Sequence, residues 1–425
     1  MKHSLFPISS LLLSNALLLL GHGLLLTLLP IVASQLGFTS LEIALTGSAY
    51  FLGFVSGCLL TPHILRRVGH IRSFAVLAVI YLVLILLLSY LEGFAVWLLA
   101  RFIIGAAISG LYMIIESWLN ERADASNRGA ILSFYSMLSL LMIMLSQQLF
   151  TLGNNEYDIL FVGAAILVAL SIIPVSLTLS LAPAPVEDTK VSFSKVWKHS
   201  QIAMVGVIII GFVTGAFWSL APVFASQSNF TDGQLAMFMS ASVLGGACCQ
   251  IPIGKFSDRF DRRIVLFYLA FIGALVSAAM VAAAHYLPNF AVWPASVLAF
   301  FWGGTCMTMY AICLAHANDN AQAKDFVPIG SGMLITFGIS SAIGGPIASG
   351  VMSYVGALGL YAYMAVFLAL FALIIMVRRT THELPDKVAD HDTFQPSAGM
   401  TTPMAFSLDP RTEHLEDELK ASKEV

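Results

Sequence analysis

All but one of the 21 Lys and Arg residues of this 425-residue chain fall on alternate breaks between long apolar runs, or at the two ends. Twelve runs of roughly 20 apolar residues can be read, each long enough to cross the roughly 30 Å of hydrocarbon in a bilayer. The breaks after the second, fourth, sixth, eighth and tenth runs carry the positive charge; the others carry none. Lys and Arg are retained on the cytoplasmic side during insertion, so the alternation predicts both topology and orientation. An even number of crossings puts both termini in the cytoplasm, with Lys2 before the first and Arg378-Arg379 after the last. The exception, Arg101, lies inside a run.

Composition excludes other classes. The chain is 58% hydrophobic and 11% charged, where a soluble domain carries about 25% charged residues. A net charge of −3 points to no nucleic-acid partner. Cys58, Cys248, Cys249, Cys306 and Cys313 all sit in apolar runs, with neither a disulfide frame nor metal-site spacing, and read as packing residues. The first run is too long for a cleaved signal and lacks a small-residue cleavage site, so it reads as a retained helix.

The predicted spans are 8–33, 41–64, 73–91, 94–119, 130–152, 158–181, 202–226, 233–254, 264–285, 289–317, 328–351 and 357–377. The longest internal break, 182–201, holds Pro183, Pro185, Glu187, Asp188, Lys190, Lys195 and Lys198. It separates six spans from six and reads as a cytoplasmic linker between units 8–181 and 202–378. The tail, 379–425, is polar and carries Pro385, Pro396, Pro403 and Pro410. It cannot bury enough surface to order itself and is expected as a disordered cytoplasmic extension, with a short helix conceivable over 410–425.

The halves echo each other. Run 4 ends with Tyr112 eight residues before Asn120-Glu121, and run 10 with Tyr310 eight residues before Asn318-Asp319. Basic turns follow run 2 (Arg66, Arg67, Arg72) and run 8 (Arg259, Arg262, Arg263). Duplicated halves around a midplane site are a recurring plan of secondary transporters.

Gly254-Lys-Phe-Ser-Asp258-Arg259-Phe-Asp-Arg262-Arg263 resembles, nearly residue for residue, the cytoplasmic signature of the major facilitator superfamily. Gly69-His-Ile-Arg72, Ile115-Glu-Ser-Trp-Leu-Asn-Glu-Arg122 with Asn127-Arg-Gly129, and Ala315-His-Ala-Asn-Asp319 with Asp325-Phe326 are similar to its bacterial YcaD-like group. The resemblance covers about residues 8–378. It implies an all-α integral membrane protein of 12 transmembrane helices in two pseudo-symmetric six-helix bundles, the major facilitator fold. It also implies a cytoplasmic latch of Asp258, Arg259 and Arg263, with Arg66, Arg67, Arg72, Arg128, Gly254 and Arg262 around it, that clamps the opposing half in the outward-open state. A plain positive-inside anchor is the alternative. Two departures stand out. Arg66 replaces the usual Asp in the first copy of the turn. The Gly-Pro-rich stretch of drug antiporters is missing from helix 5, which has Ser146-Gln147-Gln148; a comparable stretch, Gly344 to Gly350, lies in helix 11.

Ionisable groups inside a membrane are costly and therefore candidates for function. Arg101 should point into the bundle, as a partner of solute or proton or as a structural cation. Glu116 lies about 22 Å further along the same helix, too far to pair with it. Glu116 is expected to meet Arg128 or the Arg66–Arg72 turn, or to carry a proton. His22, between Gly21 and Gly23, shares a helix face with Asn15, and the two are expected to line a cavity. Tyr112, Gln147, Trp218 and Tyr310 are further candidates for the solute and proton pathway, with Tyr135, Gln148, Phe217, Trp302 and Met307 behind them. His316, Asn318, Asp319 and Asp325 form too weak a set for a metal and read as caps and loop closure. Pro222, Pro252 and Pro346 interrupt helices and are expected as flexing points.

No Gly-x-x-x-x-Gly-Lys-Ser/Thr loop is present, and no cofactor is implied. The resulting expectation is a non-enzymatic secondary transporter in the inner membrane of a bacterium. It would move a small organic solute by alternating access, coupled to protons, with export favoured over uptake. Nothing in the sequence demands more than a monomer. A membrane enzyme or a non-transporting sensor are the readings from other classes; both lack their expected residues or domains.

Overall fold

The computed structural model describes residues 8–122, 128–154, 156–177, 196–197, 200–286, 292–319, 321, 325–381 and 402–407. Its long helices are α1 (Ser9–Gln35), α2 (Ser40–Val68), α3 (His70–Leu88), α4 (Phe94–Arg122), α5 (Arg128–Leu149) and α6 (Asp158–Ser176) in one half. The other half holds α7 (Gln201–Gln227), α8 (Asp232–Ser257), α9 (Arg262–Tyr286), α10 (Val292–Asn318), α11 (Phe326–Val355) and α12 (Gly359–Thr381). A short helix, α13 (Pro403–Ser407), follows. All twelve long helices are long and apolar enough to cross a membrane.

Helices outrun the predicted spans at their charged ends. Helix α2 takes Arg66 and Arg67 into its last turn, and α8 takes Lys255. Cations there meet the negative end of the helix dipole, so the helix continues past the apolar stretch. Most of the predicted linker lies outside the described residues. So do 382–401 and 408–425 of the tail, including the conceivable helix over 410–425. The tail is not wholly solvated, however: Thr402 and Ala405 are buried, and α13 packs against α4 and α11.

Packing repeats with an offset of six helices. In the first half α2 packs on α4, α1 on α5 and α6, and α3 on α4 and α6. In the second, α8 packs on α10, α7 on α11 and α12, and α9 on α10 and α12. The local chemistry repeats as well. Helices α2 and α8 open with the same reciprocal capping box, Thr39 with Glu42 and Thr231 with Gln234. Prolines Pro30 of α1 and Pro222 of α7 occupy the same position along their helices. A Cβ on Gly105 would collide with the Tyr50 carbonyl oxygen across the α2–α4 contact. One on Gly303 would collide with the Ser242 carbonyl across α8–α10. Small residues let backbones approach closely where lipid gives no hydrophobic drive for helix association.

We call the helix ends bearing the arginine turns the basic face and the other ends the opposite face. Helix α2 packs on α11, α5 on α8, and α1 and α2 on α7 across the seam between the bundles. Hydrogen bonds tie the bundles toward the opposite face. Gln148 donates to the Ser240 hydroxyl at 2.6 Å, Tyr157 to Asp232 at 3.1 Å, and Ser48 to the Ala342 carbonyl. Burial and the neighbouring Asp232 carboxylate push the Tyr157 hydroxyl up to about 12. At the basic face, α13 lies between α4 of one bundle and α11 of the other.

Candidate functional site

Arg101 sits two turns into α4 from the opposite face and is 7% exposed. Its guanidinium carbon lies 4.7 Å above the centre of the Tyr50 ring on α2, and its Nε has no hydrogen-bond partner among the described residues. It borders a small space of about 10 Å³ lined by Leu26, Tyr50, Phe51, Arg101, Trp218 and Ser219. Helices α1, α2 and α4 supply the first four of these residues and α7 the last two, so the space straddles the seam. A much larger cleft of about 900 Å³ opens near Gln227, Phe230, Trp293 and Leu358, all within the second half and away from the buried charge. Size alone would favour the cleft; a desolvated cation at the seam is the stronger mark of a solute site.

His22 connects to the same site. Its Nδ1 is 2.7 Å from the Tyr81 hydroxyl and its Nε2 is 3.0 Å from that of Tyr50. A neutral imidazole donates at one nitrogen and accepts at the other, so one tyrosine donates to it and the other accepts. The ring of Tyr112 meets His22 edge-on at 6.4 Å. Arg101, Tyr50, His22 and Tyr81 thus form a continuous buried chain from α4 through α2 and α1 to α3.

Asn15 does not join this chain, although it shares a helix face with His22. It donates to Ser139 of α5 at 3.1 Å. Gln147 ties α5 to α1 by donating to the Gly23 carbonyl at 2.9 Å and accepting from Thr27. Trp218 reaches the Arg101 space. Trp302, by contrast, stacks on Phe217 at 4.2 Å inside the second bundle. Tyr310 is buried against Phe337, and its hydroxyl has no partner among the described residues.

Glu116 is fully buried near the basic end of α4. It accepts from the Tyr135 hydroxyl at 3.1 Å, from the Thr402 amide at 3.0 Å and from the Thr402 hydroxyl. These partners replace the Arg66–Arg72 turn that the sequence suggested. Arg66, Arg67 and Arg72 are exposed, and the Arg128 side chain lies outside the described residues. The polar tail reaches the carboxylate because a buried oxygen gains more from two amide and hydroxyl donors than from a distant solvated guanidinium.

At the α8–α9 turn, Gly254 is buried and Asp258 accepts from Arg262 at 3.2 Å. Arg262, fully buried, also lies 3.2 Å from Asp319. Arg263 pairs with Asp261 at 2.9 Å, and Arg259 is exposed. Each of these pairs lies within the second half. Burial works to raise the Asp261 carboxyl, but hydrogen bonds from Arg263 outweigh it and hold the group below the ordinary carboxylate range. His316 stands 3.7 Å from Asp319, and no group of three or more His, Cys, Asp or Glu converges on a metal position among the described residues. Pro222, Pro252 and Pro346 all lie inside helices.

Sequence reading missed Tyr50, Tyr81, Thr27, Ser139 and Thr402. The signal for the first two was a tyrosine deep in an otherwise apolar run, where its hydroxyl needs a partner. Thr402 gave no local signal.

Twelve helices in two matched bundles, with polar groups gathered along the seam, define a membrane transport protein. The Major Facilitator Superfamily profile matches residues 11–327 and 204–403, and the chain belongs to that superfamily. It is 26% identical over 340 residues to the MFS-type transporter YcaD of Escherichia coli, covering 80% of this chain and 87% of that one. It is similar in fold to a point mutant of the nucleoside transporter NupG, with a TM-score of 0.74, 13% identity and coverage of 88% of this chain and 100% of that one. The D-xylose-proton symporter is similar too, with a TM-score of 0.65, 15% identity and coverage of 87% and 97%. The chain is thus a multi-pass transporter and not an enzyme.

Proposed function

We propose that this protein moves a small organic solute across the cytoplasmic membrane of a bacterium by alternating access, in exchange with or alongside protons. The observation that carries this reading is the Arg101 site: a desolvated cation bordering a space walled by both bundles. A ligand bound there touches both halves, so it can bias their relative tilt through differential contacts in the two states. His22, held between two tyrosines one contact from Arg101, is the group suited to pass a proton.

The basic face is read as cytoplasmic from its arginines and lysines, with both termini on that side. The Asp258, Arg259 and Arg263 turn is proposed as the element that meets the first half when that face closes, with Pro222, Pro252 and Pro346 as flexing points. Export is the favoured direction, since few mid-membrane charges suit an amphipathic cargo. Proton-coupled uptake is the second reading, supported by the likeness in fold to the D-xylose-proton symporter.

Purified protein in liposomes holding a pH-sensitive dye tests the function. Solute addition should change the internal pH, with the sign reporting direction. A protein that exchanges no member of a broad metabolite panel and moves no protons is not this transporter.

A further inference from the structure

Arg101 lacks a counter-charge. Among the described residues its guanidinium makes no ion pair, and its Nε makes no hydrogen bond. Tyr50 gives it an aromatic face, but such a contact returns less than burying a guanidinium costs. Glu116, the buried carboxylate on the same helix, is about 22 Å away along the axis and is occupied by Tyr135 and Thr402. Among the described residues, therefore, none at this site is the missing partner.

We propose that the solute supplies it: the cargo is a small organic monoanion. This deepens the transporter reading and rests on it. The planar fork of Arg101 suits a carboxylate. Leu26, Phe51 and Trp218 form apolar walls for its carbon body, and the Ser219 hydroxyl offers one further polar contact. The lining carries a single cation, which matches a single negative charge. The space measures about 10 Å³ in this structure, room for about one water, so the cargo is accommodated as α7 draws away from α1, α2 and α4.

Thermal unfolding in detergent tests this with matched acids and amides: acetate, isovalerate, benzoate and 3-phenylpropionate against their carboxamides. At least one acid should raise the wild-type Tm by about 2 °C or more while its amide does not. Arg101→Met should abolish that shift, and should itself unfold no lower than wild type without ligand, because it removes an unpaired buried charge. Equal shifts from amides, a shift retained in Arg101→Met, no shift from any acid, or a strongly destabilised Arg101→Met would each overturn the inference. Liposome exchange of neutral solutes only would do the same while leaving the transporter reading intact.

The docked tail carries a second inference independently. Residues Thr402 to Ala405 are wedged between α4 and α11 at the basic face, and Thr402 donates twice to one oxygen of Glu116. Ends of the two bundles cannot meet there while the segment is in place. We infer that the segment is an autoinhibitory strap that holds the basic face apart. Spin labels at the exposed positions 68 and 256, on α2 and α8 in a cysteine-free background, report the gap between the bundles. Deleting residues 402–425 should add a population with a shorter distance, and Thr402→Val in the full chain should add a smaller one. Distance distributions identical to wild type in both variants would overturn the inference.

Discussion

Thr402 and Glu116 stand 286 positions apart in the chain and share a buried contact in which the Thr402 amide donates to the Glu116 carboxylate at 3.0 Å. The threonine hydroxyl donates to the same oxygen. A tail that composition assigns to solvent thus supplies two of the donors on a fully buried carboxyl group.

Removing those donors should be measurable. Thr402→Val keeps the side-chain shape and loses one bond to a buried acceptor, at a cost of about 1–3 kcal/mol. Glu116→Ala leaves Tyr135 and the Thr402 amide without an acceptor and should cost more than Thr402→Val. Thermal unfolding in detergent orders the two; equal stability of Glu116→Ala and wild type would show that the contact does not form.

The glycine contacts separate structure from tolerance. Gly105→Ala and Gly303→Ala each drive a Cβ into a carbonyl of the facing helix, so each should cost about 1–3 kcal/mol or more. Gly163→Ala, which meets nothing within 4 Å, should stay within about 0.5 kcal/mol of wild type. Size-exclusion profiles after heating give the comparison, and similar losses at all three positions would contradict the close helix approach.

His22→Phe keeps a ring between Tyr50 and Tyr81 but removes both nitrogens. Accumulation driven by a pH gradient should disappear, whereas solute exchange without a gradient should survive at a reduced rate. Gradient-driven accumulation at the wild-type level would take His22 out of the proton path.

Asp261 gives a pH prediction with a definite sign. Its carboxyl is held low in the folded protein, so its contribution is complete above the ordinary carboxylate value of about 4. The contribution is lost as pH falls through the lower folded value. Asp261→Asn should therefore destabilise the protein at pH 7, by an amount that shrinks as pH falls from 7 to below about 4. An unchanged difference across that range would mean that the Arg263 contact contributes nothing.

How much of this was legible in the sequence depended on whether the cause was local. The twelve spans were, because apolar length and the alternation of Arg66 with the charge-free breaks are local facts. Helix ends were less so: Arg66 and Arg67 look like loop residues until the helix dipole is considered. Arg101 could be singled out as a buried charge, but its lack of a partner depends on what three other helices bring to it. His22 and Asn15 share one face of α1, yet they bond to α2 and α3 in one case and α5 in the other. One helix face spans neighbours on both sides, and a heptad pattern cannot say which. Thr402 was beyond reach, since nothing within the tail points to Glu116.

The central claim is that two matched bundles rock about the Arg101 site, and paired distance measurements on both faces test it most directly. Spin labels at 41 and 293 report the opposite face and labels at 68 and 256 the basic face, all at exposed positions. In lipid nanodiscs, as pH or solute is varied, one distance should lengthen as the other shortens. Distances that never change, or that lengthen and shorten together, would contradict the account.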